Sequence, residues 1–214
     1  MPGLTNIQKI YESPMTHYDA LEGILEPVLN LQATWDGAYG NVTRGIPLKI
    51  ATGKLPLSGN ITGDVARPMI VGKVVAVAGS TVTLEKGAAA GAGLIGKTLT
   101  KVTSAGVVSA LATTVAGVVD EKGATESRSL YRVVITFAAA HGLVVGDFVG
   151  CEGLTGTDKA DGISYESHNY QDDPTVAVTV RGVFKNDHVA GPDAFKVAVL
   201  QGRVRYDLLL FRTY

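Results

Sequence analysis

One cysteine, Cys151, stands in 214 residues. That excludes a disulfide framework within the chain and any zinc site built from several cysteines. Charge is also scarce. Charged residues make up 18%, against about 25% in an average soluble domain, and the formal net charge is -1. Nothing is basic enough to grip a phosphate backbone, so nucleic acid is not an expected partner. No apolar run reaches the roughly 18 residues of a membrane span, so no membrane association is expected. The opening MPGLTNIQKIYESP lacks the positive and then apolar order of a secretion signal, which predicts a non-secreted protein made in the cytoplasm. Aromatics are few, at 7%. Glycine, by contrast, is plentiful at 26 residues, and the length suits one domain with a core of ordinary size.

Three textures divide the chain. Residues 1–66 read as an extended N-terminal arm and linker. Within them Thr16 caps a predicted short helix through Asp19, Leu21, Ile24 and Leu25, which Pro27 ends. The following stretch, QATWDGAYGNVTRGIPLKIATGKLPLSGNITGD, reads as irregular chain with short extended pieces. Residues 67–128 read as a β-domain. PMIVGKVVAVAGSTVTLEK is two β-branched runs about Ala78-Gly79-Ser80, TLTKVTSAGVVSAL is a second pair about Gly106, and TTVAGVVDE is a further strand. Residues 129–214 read as a second β-lobe packed on the first. In SLYRVVITF, Tyr131, Val133, Ile135 and Phe137 share one face. LVVGDFVGCEGL, TVAVTVRGVFK, AFKVAVLQG and VRYDLLLF all read as strands, with a polar loop over 155–174. The predicted fold class is mainly β: an antiparallel sandwich or barrel-like body carrying an extended N-terminal arm with a short helix.

Several motifs bear on chemistry. Gly91 to Thr98 satisfies the phosphate-loop pattern G-x-x-x-x-G-K-S/T, and Gly91, Gly93 and Gly96 satisfy G-x-G-x-x-G. Either motif must follow a strand directly and open a helix. Here Lys86, Gly87 and three alanines intervene, and Thr98, Thr100, Val102, Thr103 and Gly106 make a poor helix. A loop between hairpins is the expected structure, and no cofactor is expected. His17, His141, His168 and His188 show no metal-ligand spacing. Asp158, Asp161 and Gly162 lack the spaced acids of a calcium loop. Cys151 sits in an apolar run as an inert thiol. No G-x-S-x-G or comparable catalytic signature occurs, and catalysis is not expected.

Two residue sets point to partners. Tyr11, Tyr18, Trp35 and Tyr39 lie in segments with little capacity for an internal core. Amphipathic rings on an arm are typical interface anchors; with Arg44 they form the predicted partner-binding set. Their alternative place is beneath the arm, against its own β-body. Tyr165, His168, Asn169 and Tyr170 in the polar loop combine aromatics with amides, a set suited to a glycan.

GLIGKTLTKVTSAGVVSALATTVAGVVDE resembles tailed-phage head decoration proteins, with Leu94 to Thr98 entering a strand, a turn at Gly106 and Gly117-Val118-Val119 beyond it. TVRGVFKNDHVAGPDAFKVAVLQGRV resembles the later strands of that family. AAHGLVVGDFVG resembles a hairpin of phage fibre and tail modules, with Gly142, Gly146 and Asp147 at its turns. The resemblance covers about half the chain. It implies a structural virion protein on the outer capsid surface, bound to the major capsid protein and self-associated as a trimer or a dimer. The alternative is a head fibre or a receptor- or glycan-binding module on the virion.

Overall fold

A computed structural model describes residues 29–50, 65–85, 87–121, 132–168, 170–200 and 209–212. Tyr11, Tyr18, the predicted helix near residue 20 and Asn169 lie outside the described residues.

The chain is mainly β, in two sheets. The first contains β1 (Leu29–Trp35), β2 (Pro47–Ile50), β3 (Val65–Pro68), β11 (Gly162–Ser164), β12 (Thr175–Lys185) and β13 (Leu209–Arg212). Pairing runs β1-β3-β2-β11-β12, and β12 then pairs back onto β1, so five strands close into a barrel. β13 lies parallel to the far half of β12. The second sheet has the order β7-β6-β10-β4-β5-β9-β8. Its strands are β4 (Ile70–Ala78), β5 (Thr81–Leu84), β6 (Thr100–Val102), β7 (Val108–Ala110), β8 (Val115–Glu121), β9 (Arg132–Phe137) and β10 (Phe148–Gly150). Its hairpins turn at Gly79 and Gly106, where the sequence places them. β9 alternates as expected: Val133, Ile135 and Phe137 are buried. The sheet curls round, because Val115 N–H donates to Lys97 O (3.0 Å) and Gly96 N–H to Val115 O (2.8 Å). Those bonds join the head of β8 to the chain entering β6.

The second sheet is nested in the first. The chain leaves the barrel at Met69 and returns at Cys151, and these residues are bonded to each other: Cys151 N–H donates to Met69 O at 3.1 Å. Both are fully buried. Beside them Gly150 has no room for a side chain, since a Cβ there falls 2.4 Å from Thr100 Oγ1. One hydrophobic cluster runs through both sheets, from Trp35 and Leu48 to Val82 and Ile135.

Three segments differ from the expectation. The stretch after residue 28 is not an arm: it supplies β1, β2 and β3, three of the five barrel strands, and β1 and β2 each pair with a strand more than a hundred residues away. The polar loop 155–174 contains β11, which sits between β2 and β12. The run AFKVAVL is not a strand but helix α1 (Asp193–Leu200). Pro192 precedes it, Asp193 occupies its first turn, and Phe195 and Val199 are buried four residues apart.

Candidate functional site

The predicted partner-binding set divides. Trp35 ends β1 with 1% of its surface exposed, and its Nε1–H donates to Gly40 O at 2.9 Å. Tyr39 is also 1% exposed. It closes a 3-10 turn, Gly37–Tyr39, which Asp36 caps by accepting from Ala38 N–H at 3.0 Å. Its phenol oxygen accepts from Glu152 N–H (3.4 Å), and burial pushes the phenol well above its usual range. Both rings therefore belong to the core of their own subunit and offer no surface to a partner. Only Arg44 of the described set is exposed.

The polar-loop set is likewise tied to the body. His168 bridges backbone to Val42, and its Nε2 lies 2.8 Å from Thr175 O and 3.1 Å from Asp173 O. Carbonyl oxygens only accept, so Nε2 carries the proton. Asp173 accepts from both the N–H and the hydroxyl of Thr175, and these bonds hold its carboxyl below the usual range. The Tyr170 ring covers Gly37 so closely that a Cβ there falls 2.4 Å from it. Tyr165 is half-buried and donates its N–H to Ala177 O. The described members of that set are thus held against their own chain, His168 and Tyr170 on the segment between β1 and β2 and Tyr165 on β12.

Gly91 to Thr98 does not form an anion cradle. Residues Ala92–Leu94 make a single 3-10 turn. The N–H groups of Leu94, Ile95, Gly96 and Lys97 all donate to backbone carbonyls. Lys97 Nζ pairs with Glu152 Oε2 at 3.0 Å, and the chain runs on into β6. The segment is a turn leading into β6, the loop between hairpins that the context of the motif predicts. Asp158 and Asp161 are used in the same way. Asp158 bonds Lys49 Nζ and Thr155 N–H, and Asp161 accepts from Ile50 N–H at 2.8 Å. Among the described residues no cluster of ligands suits a metal ion. Cys151 is buried, and its thiol is pushed up to about 11 chiefly by burial.

Sequence reasoning placed turns at Gly142, Gly146 and Asp147 but did not mark the exposed apolar pair that the turn Leu143–Asp147 carries. Val144 and Val145 are 59% and 63% exposed. Yet the turn beneath them is held from every side. The Asp147 carboxylate accepts from Val144 N–H (2.9 Å) and pairs with Lys101 Nζ (2.9 Å). Lys101 Nζ also donates to Gly142 O at 2.8 Å. Gly146, with φ 96°, donates its N–H to Val74 O on β4 at 3.0 Å. His141 completes the brace: its Nδ1 accepts from Leu143 N–H (3.0 Å), and its Nε2 lies 3.2 Å from Gly79 O at the β4–β5 tip. Val75, also exposed, follows the β4 residue to which the turn is bonded. The buried Asp147 next to an apolar pair was the available signal: a charged residue beside Gly146 in an apolar run calls for a partner, and Lys101 is it.

The second surface feature is a cleft of about 350 Å³ where the two sheets meet. Its walls come from the turn before β2, the start of β4, the chain just after β5, the start of β10, and α1 with the chain before it. Arg44 lies on its rim, with Lys73, Glu85, Phe148, His188 and Lys196 around it.

Comparison with known protein families, curated proteins and solved structures returned no match. Among the described residues no helix is long and apolar enough to cross a membrane.

Proposed function

We propose that this protein is a structural component of a virion, of the head decoration class that its glycine-hinged strands resemble. It binds the outer surface of the shell formed by the major capsid protein and stabilises it without catalysis. The observation that carries this reading is the braced turn. Two valines more than half exposed on a turn held by hydrogen bonds and an ion pair form a preorganised apolar contact. Such a contact loses little conformational freedom on binding. A ligand that binds only the assembled shell stabilises it by its binding free energy. Self-association as a trimer or a dimer multiplies weak contacts into avidity.

Co-sedimentation with assembled shells tests this. The wild-type chain pellets with shells. Val145→Asp, which leaves the turn's hydrogen bonds in place, lowers the affinity for shells at least tenfold, about 1.4 kcal/mol. Equal binding by both proteins removes the turn as the contact. A wild-type chain that stays in solution removes the reading itself.

A further inference from the structure

His141 stands at the foot of the valine turn, buried, with both ring nitrogens in use. Nδ1 accepts from the buried Leu143 N–H at 3.0 Å, so it carries no proton. Nε2 lies 3.2 Å from Gly79 O. A carbonyl only accepts, so the proton of the neutral ring sits on Nε2. This bonding fits the neutral imidazole alone. The cation carries a second N–H, on Nδ1, aimed at the Leu143 N–H. Two donors then face each other, and a buried N–H is left without its acceptor. The charges at this corner do not offset the added proton. Lys101 and Asp147 pair with each other at 2.9 Å, and Lys101 Nζ also donates to Gly142 O, next to His141. The other segments against the ring are the β4–β5 tip, Ala78-Gly79-Ser80, and Phe137 with the three alanines after it. They carry no ionisable side chain. His168 is a contrast: its Nδ1 lies 3.9 Å from Glu166 Oε1, so its cation gains a partner.

From this bonding we infer that His141 is an acid-release latch on the valine turn. Neutral, it ties Leu143, and with it the leading half of the turn, to the β4–β5 tip. Protonated, it drops Leu143 and frees Val144 and Val145 from their fixed placement. The trailing half stays, held by Asp147 and by the Gly146 N–H on Val74 O. Imidazole is the side chain that ordinarily changes charge between about pH 5 and 8, so the latch works in a mildly acidic range. The consequence for binding rests on the shell-contact reading: the contact is firm at neutral pH and weak in acid.

Two measurements on the full chain, at about pH 7.5 and about pH 5.5, test the latch and its consequence separately. NMR follows protonation of the His141 ring and the exchange protection of the Leu143 and Val144 amides, corrected for the intrinsic effect of pH on exchange. Protection at Leu143 falls at least tenfold as the ring takes up its proton, while Ile135 in β9 keeps its protection. In His141→Asn the side-chain oxygen accepts from the N–H two residues on, as in an Asx turn, and has no proton to gain. Its Leu143 protection is the same at both pH values. A ring still neutral in the acid sample, or wild-type protection at Leu143 unchanged with the ring protonated, overturns the inference whatever the variant does. Co-sedimentation with shells reads the consequence. The wild-type chain binds about tenfold more weakly in acid, about 1.4 kcal/mol, and His141→Asn binds equally at both pH values. An equal loss in both proteins overturns the latch as the control of the contact. A wild-type chain that stays in solution at both pH values removes the shell reading alone, and the exchange at Leu143 then decides the latch.

Discussion

Trp35 shows how a ring on an unpromising segment becomes structural. Its neighbours in sequence are polar or small, but Thr34 and Trp35 pair with Val65 and Ala66 on one side, and Trp35 N–H donates to Pro174 O on the other. Trp35→Ala is expected to cost about 3–5 kcal/mol, as removal of a large buried ring does. Chemical denaturation measures this, and a loss under about 1 kcal/mol is incompatible with a core role. Cys151 is the second case. A thiol titrating at about 11 and fully buried stays protonated at neutral pH, so a thiol reagent labels it only as fast as the protein unfolds. Rapid labelling of the native protein contradicts its placement. Cys151 was legible from its apolar surroundings. Trp35 and Tyr39 were legible only as one of two alternatives, a partner's surface or their own β-body, because their burial depends on β12 and Glu152, far along the chain.

Local elements were legible where one hairpin carries its own instructions. Gly79 and Gly106, at φ 61° and 80°, mark their turns directly, and the β-branched runs around them pair with each other. α1 was misread because AFKVAVL alternates like a strand over its last five residues; its buried positions follow helical spacing instead. The Leu143–Asp147 turn is the element on which the proposed function rests. Asp147→Ala removes the acceptor for Val144 N–H and leaves Lys101 without its carboxylate. A loss of about 1.5–3 kcal/mol is expected, the range for hydrogen bonds to charged groups. Hydrogen exchange at Val144 should rise with it, and unchanged exchange there speaks against the brace.

At the scale of the whole molecule, the two sheets share one core and cross at Met69 and Cys151, so they are expected to unfold in a single transition. The sequence divides most visibly at residues 66 and 128. Neither is where the fold divides, since the barrel takes strands from both ends of the chain and encloses β4 to β10. Pairing over such distances leaves no local trace, and for that reason the barrel was expected only as a class. Acid stability reads out this long-range order through two carboxyls with opposite signs. At Asp158 burial raises the pKa, but the bonds from Lys49 and Thr155 outweigh it and the net value is lowered. It therefore contributes stability above its unfolded value of 3.8 that is lost as pH falls through the lower folded value. Glu85 is raised by burial, so it takes up a proton more readily folded than unfolded, and stability rises as pH falls through its folded value toward 4.5. Glu85→Gln should thus raise stability at neutral pH and abolish that rise. Asp158→Asn should lower neutral stability and flatten the loss below pH 3.8. Thermal melting from neutral to acid pH measures both, and slopes of the reverse sign contradict these assignments.

Electron cryomicroscopy of capsid shells incubated with the purified chain addresses the proposed role most directly. The account predicts added density on the outer face of the shell, with the Val144–Val145 turn seated in an apolar recess of the capsid protein. Bare shells at saturating protein, or density attached through another face with that turn in solvent, would contradict it.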